Sequence, residues 1–245
     1  MKETLDTLTA KYTKTISTVD VDALLRDHLL LLNYDANNNV VMFDFGHGSV
    51  LAHQHYNPDG TIGGWVAETA FVASTVMIGR DVWVYDAARV TDNPILTDAV
   101  RVYGTAQVNG KVIMTDNVEV YGRAKIFDLA CLSDNVRIFG NANVHGRAKV
   151  YDSAKMSGNA HIHSKAHVYG TAHVFARARV YDDARVYGNA RVSGNAIVSN
   201  NARVYDNANV SDHVKILDFA QVYGDVKLTG DIQVRGKDHI FISSN

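Results

Sequence analysis

Cysteine, proline and long apolar runs are scarce in this chain of 245 residues. The single cysteine, Cys131, excludes a scaffold held together by disulfide bonds. Apolar stretches such as Leu29 to Leu32 are far too short to span a bilayer, so no membrane partner is expected. The net charge of -2 provides no strongly basic surface, and a nucleic acid polymer is not expected as a partner either. Residues 1–16 lack the apolar core of a signal peptide, so we expect a cytoplasmic protein.

A hexapeptide repeat occupies the chain from Val66 onwards. Every sixth position from Val66 to Ile240 is Val, Ile, Leu or Met, and no insertion interrupts the series. Four positions after each of them up to Val234 comes Ala, Val or Ile, with Pro94 and Asp238 as the exceptions. Two positions after the aliphatic residue, Gly, Asp or Asn occurs in most units, and these residues tolerate the backbone of a sharp corner. Each unit therefore predicts a short strand and a corner, and stacking of the units buries the apolar side chains.

These units resemble a known repeat. The form Val-x-Gly-Asn-Ala-Arg, and the early units at 72–76 and 78–82, resemble the hexapeptide repeat of left-handed parallel β-helices. Three hexapeptides form one triangular 18-residue coil in that family. The resemblance therefore implies an all-β solenoid, a left-handed parallel β-helix of about ten coils, over residues 66–245. At about 4.8 Å between stacked strands, it should extend roughly 45–50 Å.

A closer resemblance concerns the segment at the start of the repeat and a pentapeptide that recurs within it. The Gly-Gly-Trp-Val-Ala segment at 63–67 and the string Asn-Ala-Arg-Val-Tyr look most like the YdcK-like hexapeptide-repeat proteins. Those proteins are often labelled transferases by resemblance alone. A transferase activity is therefore something that the resemblance implies.

Residues 1–65 lie outside the repeat and predict a small α+β cap as a first domain. The spacing of Leu5, Leu8 and Tyr12 predicts one helix, and residues 19–32 predict a second. Residues 40–45 and 49–56 predict strands, and residues 57–60 predict a turn. Such a cap would cover the unpaired strand edges of the first coil.

Histidines occur in groups that could support chemistry. Candidate metal ligands in the cap, with polar residues on an exposed hairpin as the alternative, are His47, His53 and His55. In the repeat, His145 and His163 occupy equivalent positions of successive coils on one face and are the candidate general bases of a transferase. Three further histidines are expected to diverge on three faces of one coil: His161, His167 and His173. We predict no metal site and no cofactor.

An 18-residue coil assigns the outward residues to three faces. One face carries an aromatic column with a mainly basic column beside it, a candidate ligand site or subunit interface. Its members are Tyr151, Tyr169, Tyr187, Tyr205 and Tyr223 with Lys149, His167, Arg185 and Arg203. A second face carries Tyr85, Tyr103, Tyr121 and Phe139. Rings stacked at strand spacing support one another, so a solvated ladder, a subunit interface and a platform for anionic or planar groups all remain open.

Three functions are compatible with these features. The first, which the unbroken repeat favours, is a rigid scaffold without catalysis that presents its ladders to other subunits, as a homotrimer, or to a partner. The second, implied by the resemblance, is an acyl- or nucleotide-sugar-dependent transferase with a site between subunits. The third is a module that sequesters small anionic or nucleotide ligands through Arg185 and Arg203 with Tyr187 and Tyr205.

Overall fold

The computed structural model describes residues 40–242, which contain only strands, turns and bends. No helix of membrane-spanning length and apolarity occurs in this part of the chain. The described part begins with β1 (Val41–Asp44), β2 (Ser49–Tyr56) and β3 (Ile62–Ala67). The strands that follow, most of them two residues long, are β4 (Phe71–Val72), β5 (Met77–Ile78), β6 (Trp83–Val84), β7 (Arg89–Val90), β8 (Ile95–Leu96), β9 (Arg101–Val102), β10 (Gln107–Val108), β11 (Ile113–Met114), β12 (Glu119–Val120), β13 (Lys125–Ile126), β14 (Cys131–Leu132), β15 (Arg137–Ile138), β16 (Asn143–Val144), β17 (Lys149–Val150), β18 (Lys155–Met156), β19 (His161–Ile162), β20 (His167–Val168), β21 (His173–Val174), β22 (Arg179–Val180), β23 (Arg185–Val186), β24 (Arg191–Val192), β25 (Ile197–Val198), β26 (Arg203–Val204), β27 (Asn209–Val210), β28 (Lys215–Ile216), β29 (Gln221–Gly224), β30 (Lys227–Leu228), β31 (Gln233–Val234) and β32 (His239–Ile242).

The strands form three sheets because every third strand stacks on the one before it. Sheet A has the order β1, β2, β3, β6 and then every third strand to β30. Sheet B runs in the same way from β4 to β31, and sheet C from β5 to β32. Neighbouring strands of the repeat are parallel and pair equivalent positions of successive coils, as in Val186 with Val204. The predicted all-β parallel solenoid of about ten 18-residue coils is thereby confirmed.

The interior consists of the repeated aliphatic and small residues. Val192, Val198 and Val204 are fully buried, as are the alanines four positions after the first two of them, Ala196 and Ala202. Alternate residues of a strand point to opposite sides, so one face of every short strand lines the interior. Each buried aliphatic side chain contributes about 1.5–3 kcal/mol relative to an exposed one. The core therefore accounts for these positions without reference to function.

The corners use a left-handed backbone at regular intervals. A positive φ recurs at every sixth residue from Asp86 to Gly236, two positions after the inward aliphatic residue. At several corners an Asp carboxylate accepts a hydrogen bond from the backbone N–H of the corner one coil later. The N–H of Gly104 donates to Asp86 at 2.9 Å, and that of Gly224 donates to Asp206 at 3.2 Å. Asp is therefore suited to the corner both because it tolerates this backbone and because it ties successive coils together.

The first coil is capped by the hairpin that precedes it. Strand β2 pairs antiparallel with β3 and covers the edge that β3 would otherwise leave open. The buried side chain of Asn57 then covers the edge of sheet C, since its Oδ1 accepts from the N–H of Ile78 at 2.9 Å and its Nδ2 donates to the Ile78 carbonyl at 3.0 Å. The ring of His55 hydrogen-bonds the Val76 carbonyl at 3.0 Å. The turn at 57–60 thus supplies polar partners that a solenoid end otherwise lacks.

The predicted strands of the cap match β1 and β2, which belong to the same compact unit as the solenoid, Val41–Asn245. The two predicted helices, one around Leu5, Leu8 and Tyr12 and one at 19–32, lie outside the described residues. The domain boundary between residues 65 and 66 stays a prediction.

Two glycines let the chain enter the first coil. A Cβ added to Gly64 would lie 2.0 Å from the carbonyl oxygen of Val82, and one added to Gly63 would lie 2.7 Å from that of Ile78. Backbone approaches this close exclude any side chain at these positions. The Gly-Gly pair before Trp65 is therefore a packing requirement of the entry.

The opposite end of the solenoid leaves apolar side chains accessible. Ile232 is 40% exposed and Ile242 is 57% exposed. Asp238 stands where the repeat otherwise places a buried small residue, and it is exposed. A charge at an inward position discourages another strand from pairing with an open edge. Asp238 is therefore a residue of the kind that disfavours edge-to-edge association of strands.

Replacing the edge cap tests its contribution to stability. Asn57→Ala should lower the free energy of unfolding by about 2–4 kcal/mol, because it leaves the buried N–H and C=O of Ile78 without partners. The matched control is Asn117→Ala, which removes an exposed amide that bonds Asn135 at 3.2 Å and should cost below about 1 kcal/mol. Guanidinium unfolding followed by circular dichroism measures both. Equal losses in the two variants would show that Asn57 is not a cap.

A second variant tests whether an aspartate at a corner stabilises the solenoid. Ala176 has a φ of 58°, although an L-residue with a Cβ is disfavoured there by roughly 1–2 kcal/mol. Ala176→Asp should raise the unfolding midpoint, with a gain of about 1 kcal/mol, because aspartate tolerates this backbone and can accept the N–H of Gly194. Asp206→Ala should lose a similar amount. A lower midpoint for Ala176→Asp would contradict the role assigned to corner carboxylates.

Candidate functional site

The outward face of sheet C carries a column of stacked aromatic rings. It arises because the residue after each buried aliphatic points outwards, and equivalent residues of adjacent coils are neighbours. Successive ring centroids lie 4.8–5.3 Å apart, and successive rings are parallel within 8°. This tyrosine column consists of Tyr151, Tyr169, Tyr187, Tyr205 and Tyr223, and it ends with Phe241.

Stacking determines which atoms of the tyrosine column a ligand can reach. Each inner ring has a neighbouring ring on both faces, so its hydroxyl group and ring edge form the accessible part. Burial raises the pKa of Tyr169 and Tyr187, and these phenols stay protonated at neutral pH. The column therefore presents neutral O–H groups that can donate hydrogen bonds, and that of Tyr205 already donates to Gln221 at 3.1 Å.

A column of cations runs beside the tyrosine column. Lys149 pairs in register with His167, His167 with Arg185, and Arg185 with Arg203. Like charges directly opposite each other on a sheet are destabilising. Lys149, Arg185 and Arg203 are exposed, and no ion pair formed among residues 40–242 involves this cation column. Its charge is therefore not neutralised by a direct ion pair within the described part of the chain.

The corner that precedes the cation column carries charges of both signs. Arg147 and Lys165 are exposed there, and Asp182, Asp183 and Asp218 lie at the same corner. Burial lowers the pKa of His167, Arg185 and Lys149 lower it further, and Asp183 opposes them with a smaller effect. His167 is therefore the member of the column that is neutral at physiological pH.

A third column, of hydroxyl and amide groups, follows the corner after the tyrosines. Thr171 donates to Asn189, Asn189 to Asn207 at 2.9 Å, and Asn207 to Asp225 at 2.7 Å. Thr171, Asn189 and Asn207 are exposed and keep further donor and acceptor capacity. Sheet C thus places cations, phenols and a polar column side by side.

The first coils of sheet C have a different character. At the equivalent position Ile95 is 44% exposed, Ile113 is 43% exposed and Cys131 is half-buried, and Leu129, at the corner before Cys131, is 42% exposed. Thr97 and Thr115 stand where tyrosines stand later. We call Ile95, Ile113 and Leu129 the apolar strip. The face changes from apolar to cationic at β17.

Sheet A carries a second aromatic ladder that begins in the turn after β1. Ring centroids lie 4.8–5.0 Å apart along Phe45, Tyr85, Tyr103, Tyr121 and Phe139. Burial raises the pKa of Tyr85 and of Tyr103 to about 12. Phe45 was not predicted as a member, because its position depends on how the hairpin folds back onto the first coil.

Contacts of arginine with rings occur on sheets A and B. Among residues 40–242 they are Arg101 over Trp83 at 4.2 Å, Arg89 over Phe71 at 4.9 Å, and Arg191 over Phe175 at 5.2 Å. On sheet C the corresponding contacts are edge-on approaches of His167 to Tyr151 and of His239 to Tyr223, with centroids 6.2 and 6.3 Å apart. The arginines of the cation column are thus not held against the tyrosines.

The candidate general bases lie on sheet B in a mixed ladder. His145 and His163 stack with centroids 5.0 Å apart, between Phe127 at 4.5 Å and Tyr181 at 4.9 Å. Phe127 and Tyr181 were not predicted as members of this ladder, although each follows a buried aliphatic residue at the equivalent position of its coil. Burial lowers the pKa of His163, and His145 lowers it further. The two imidazoles are brought together as rungs of a stack, and His161 lies in the adjacent column.

The other histidines are spread over the molecule. His161, His167 and His173 lie in sheets B, C and A respectively. In the cap, His55 is buried against the strand edge, His53 contacts Glu68 at 2.5 Å, and His47 is exposed in the turn after β1. No group of three or more His, Cys, Asp or Glu residues within residues 40–242 is arranged to hold a metal ion.

Comparison with known proteins identifies the repeat. A family model described as the YdcK Beta solenoid repeat matches three overlapping segments, residues 178–194, 184–200 and 190–205. The segments include Arg185, Tyr187 and Arg203 of the sheet C face. None of the curated proteins matches the chain.

The lowered histidine pKa values predict a loss of stability in mild acid. Burial lowers the pKa of His55, His161, His163, His167 and His173. Unfolded histidine has a pKa of about 6.5, so the unfolded chain binds protons first. The free energy of unfolding should therefore be highest above about pH 6.5. It should fall as the pH drops from there to the lower pKa values that these histidines have in the folded state. The pKa of Asp116 is lowered by hydrogen bonds from Thr115 and from the N–H of Asp134. Protonation of this carboxylate therefore lowers the free energy of unfolding only below about pH 4.

His163→Phe separates this effect from stacking, because a phenylalanine already serves as a rung at Phe127. Urea midpoints of the variant should fall less than those of the wild type between about pH 7.5 and pH 5. An identical fall in the two proteins would exclude His163 as a source of the acid sensitivity.

Proposed function

We propose that this chain, a YdcK-like β-solenoid, is a rigid binding scaffold that holds a negatively charged partner on the face of sheet C. The observation that carries the proposal is the position of the cation column, Lys149, His167, Arg185 and Arg203, in register beside the tyrosine column and without an ion pair among residues 40–242. Sheet A stacks Lys155, His173 and Arg191 in the same way, but no tyrosines lie beside them.

The fold itself does not require these charges. The equivalent outward position is occupied by the neutral residues Gln107 and Asn143 on either side of Lys125 on sheet B, where the strands pair in the same register. Repulsion between stacked cations opposes folding, although solvent and salt reduce it at the surface. A negatively charged partner would offset this repulsion, because each cation would then lie close to an opposite charge.

The rigidity of the face favours binding further. Backbone hydrogen bonds join each coil to the next through the strands and the corners, as from Tyr187 to Val204 at 3.0 Å and from Asn189 to Asp206 at 2.7 Å. The tyrosine rings are fixed by their neighbours. A face whose side chains are already ordered loses less conformational entropy when a partner binds.

The proposal separates the partner site from any contact between subunits. Burial of Lys149, Arg185 and Arg203 against a second copy of the same face would remove cations from water without supplying anions. We therefore place contacts between subunits of the predicted homotrimer on the apolar strip, where burial is favourable. The homotrimer, the transferase alternative and the module for small anionic or nucleotide ligands stay predictions.

Lysine footprinting tests whether the face is occupied. Lys149 on sheet C and Lys155 on sheet A hold the same position in successive hexapeptides, and both are exposed. In a cell extract at low salt, acetylation of Lys149 should be several-fold slower than in the purified protein, and high salt should remove this protection. Acetylation of Lys155 should be the same in all samples. Unchanged labelling of Lys149 between extract and purified protein would contradict the proposed binding face.

A further inference from the structure

We infer that the partner of the sheet C face is an acidic polysaccharide, a linear chain of hydroxylated sugar units that carries carboxylate or sulfate groups. This inference rests on the proposed function and specifies its ligand. It follows from the joint arrangement of the cation, tyrosine and polar columns.

The dimensions of the face favour a polymer over a small anion. The tyrosine column from Tyr151 to Tyr223 extends about 19 Å, which is four strand spacings. The cations Lys149, Arg185 and Arg203 follow the same line and are exposed, so each of them alone binds an anion weakly. A small anion reaches one or two rungs, whereas a linear polyanion contacts several cations at once and gains from each.

The orientation of the rings disfavours a single-stranded nucleic acid. Proteins that bind single strands without sequence preference stack bases on the faces of aromatic rings. Here the faces of Tyr169, Tyr187 and Tyr205 are covered by neighbouring rings 4.8–4.9 Å away. The accessible hydroxyl groups instead suit a ligand that donates and accepts hydrogen bonds along its whole length.

The polar column supplies the second part of such recognition. Thr171, Asn189 and Asn207 lie exposed beside the tyrosines and offer hydroxyl and amide groups. A sugar chain has hydroxyl groups along its length in addition to its charges, whereas inorganic polyphosphate has no hydroxyl groups along its chain. The side-by-side placement of cations and neutral polar groups therefore matches a charged sugar chain better than a bare polyanion.

The backbone of the face also disfavours an acidic peptide. Peptides that add to a sheet bind an open edge through main-chain hydrogen bonds. In the coils of this face the backbone groups already pair with adjacent coils, as in Tyr187 with Val204 and Arg185 with Ala202. An acidic peptide could therefore contact only side chains on this face and would form no main-chain hydrogen bonds with it.

Calorimetric titration of the full chain with an oligogalacturonate long enough to span about 19 Å tests the inference. The wild type should bind it, with an affinity that falls as salt rises. Removal of three cations in Lys149→Gln/Arg185→Gln/Arg203→Gln should weaken binding roughly tenfold or more. The matched control, Lys125→Gln/Arg179→Gln/Lys215→Gln, removes the same charge from the same repeat positions on sheet B and should leave the affinity unchanged. Circular dichroism verifies that both variants are folded.

A second variant separates a sugar from a bare polyanion. Thr171→Val/Asn189→Ala should weaken the oligogalacturonate at least several-fold and leave binding of inorganic polyphosphate unchanged. A neutral glucan of equal length should not bind.

The outcomes distinguish the ligand class from the proposed function. Absence of oligogalacturonate binding, or tighter binding of polyphosphate, oligo-dT or poly-glutamate, would overturn the polysaccharide assignment while salt-sensitive protection of Lys149 would still support the scaffold. Equal losses in the sheet C variant and the sheet B control would overturn the location of the site.

Discussion

One constraint governs this molecule: an aliphatic side chain must point inwards at every sixth residue. A shift by a single residue would turn the whole set outwards and bring residues such as Arg185 into the interior. Val186 and Val204 stack in register because each coil returns the chain to the same face at the equivalent position. The corners serve the same register, since a left-handed residue recurs at the same place in each unit from Asp86 onwards. The positions of the outward side chains are therefore determined by the spacing of the inward ones.

The same register has opposite consequences for different outward residues. Aromatic residues at equivalent positions stack in parallel, and this stabilises the ladder that runs from Tyr151 to Tyr223. Arg185 and Arg203, the cations that lie directly opposite each other, repel, and the solenoid cannot separate them because each coil fixes the next. The tyrosine column therefore has a sufficient explanation in stability, whereas the cation column does not. This difference makes the charges, rather than the more conspicuous rings, the evidence for binding.

Much of the fold was predictable because its determinants are local and repeated. The buried positions, the corners and the columns around Tyr187 and Arg185 follow from the spacing of residues in a coil of known length. The edge cap was not predictable in detail, since Asn57 acts on Ile78 from an earlier turn whose direction depends on the tertiary fold. Phe45 joins the ladder of sheet A for the same reason. By contrast, Phe127 could have been found from its spacing to His145, because both follow a buried aliphatic residue at equivalent positions of successive coils.

The orientation of the rings, which the spacing alone does not reveal, decides what chemistry the sheet C face offers. Had the tyrosines lain flat on the sheet, their faces would have formed a platform for planar ligands. Because Tyr169 and Tyr187 instead lie parallel with centroids 4.8 Å apart, their π-surfaces are satisfied within the chain. Recognition is left to hydroxyl groups, the cation column and the polar column, all of which repeat at the strand spacing. A ligand that fits must therefore be extended, negatively charged and rich in hydrogen-bonding groups, so its own repeat along the solenoid determines how many rungs it can engage.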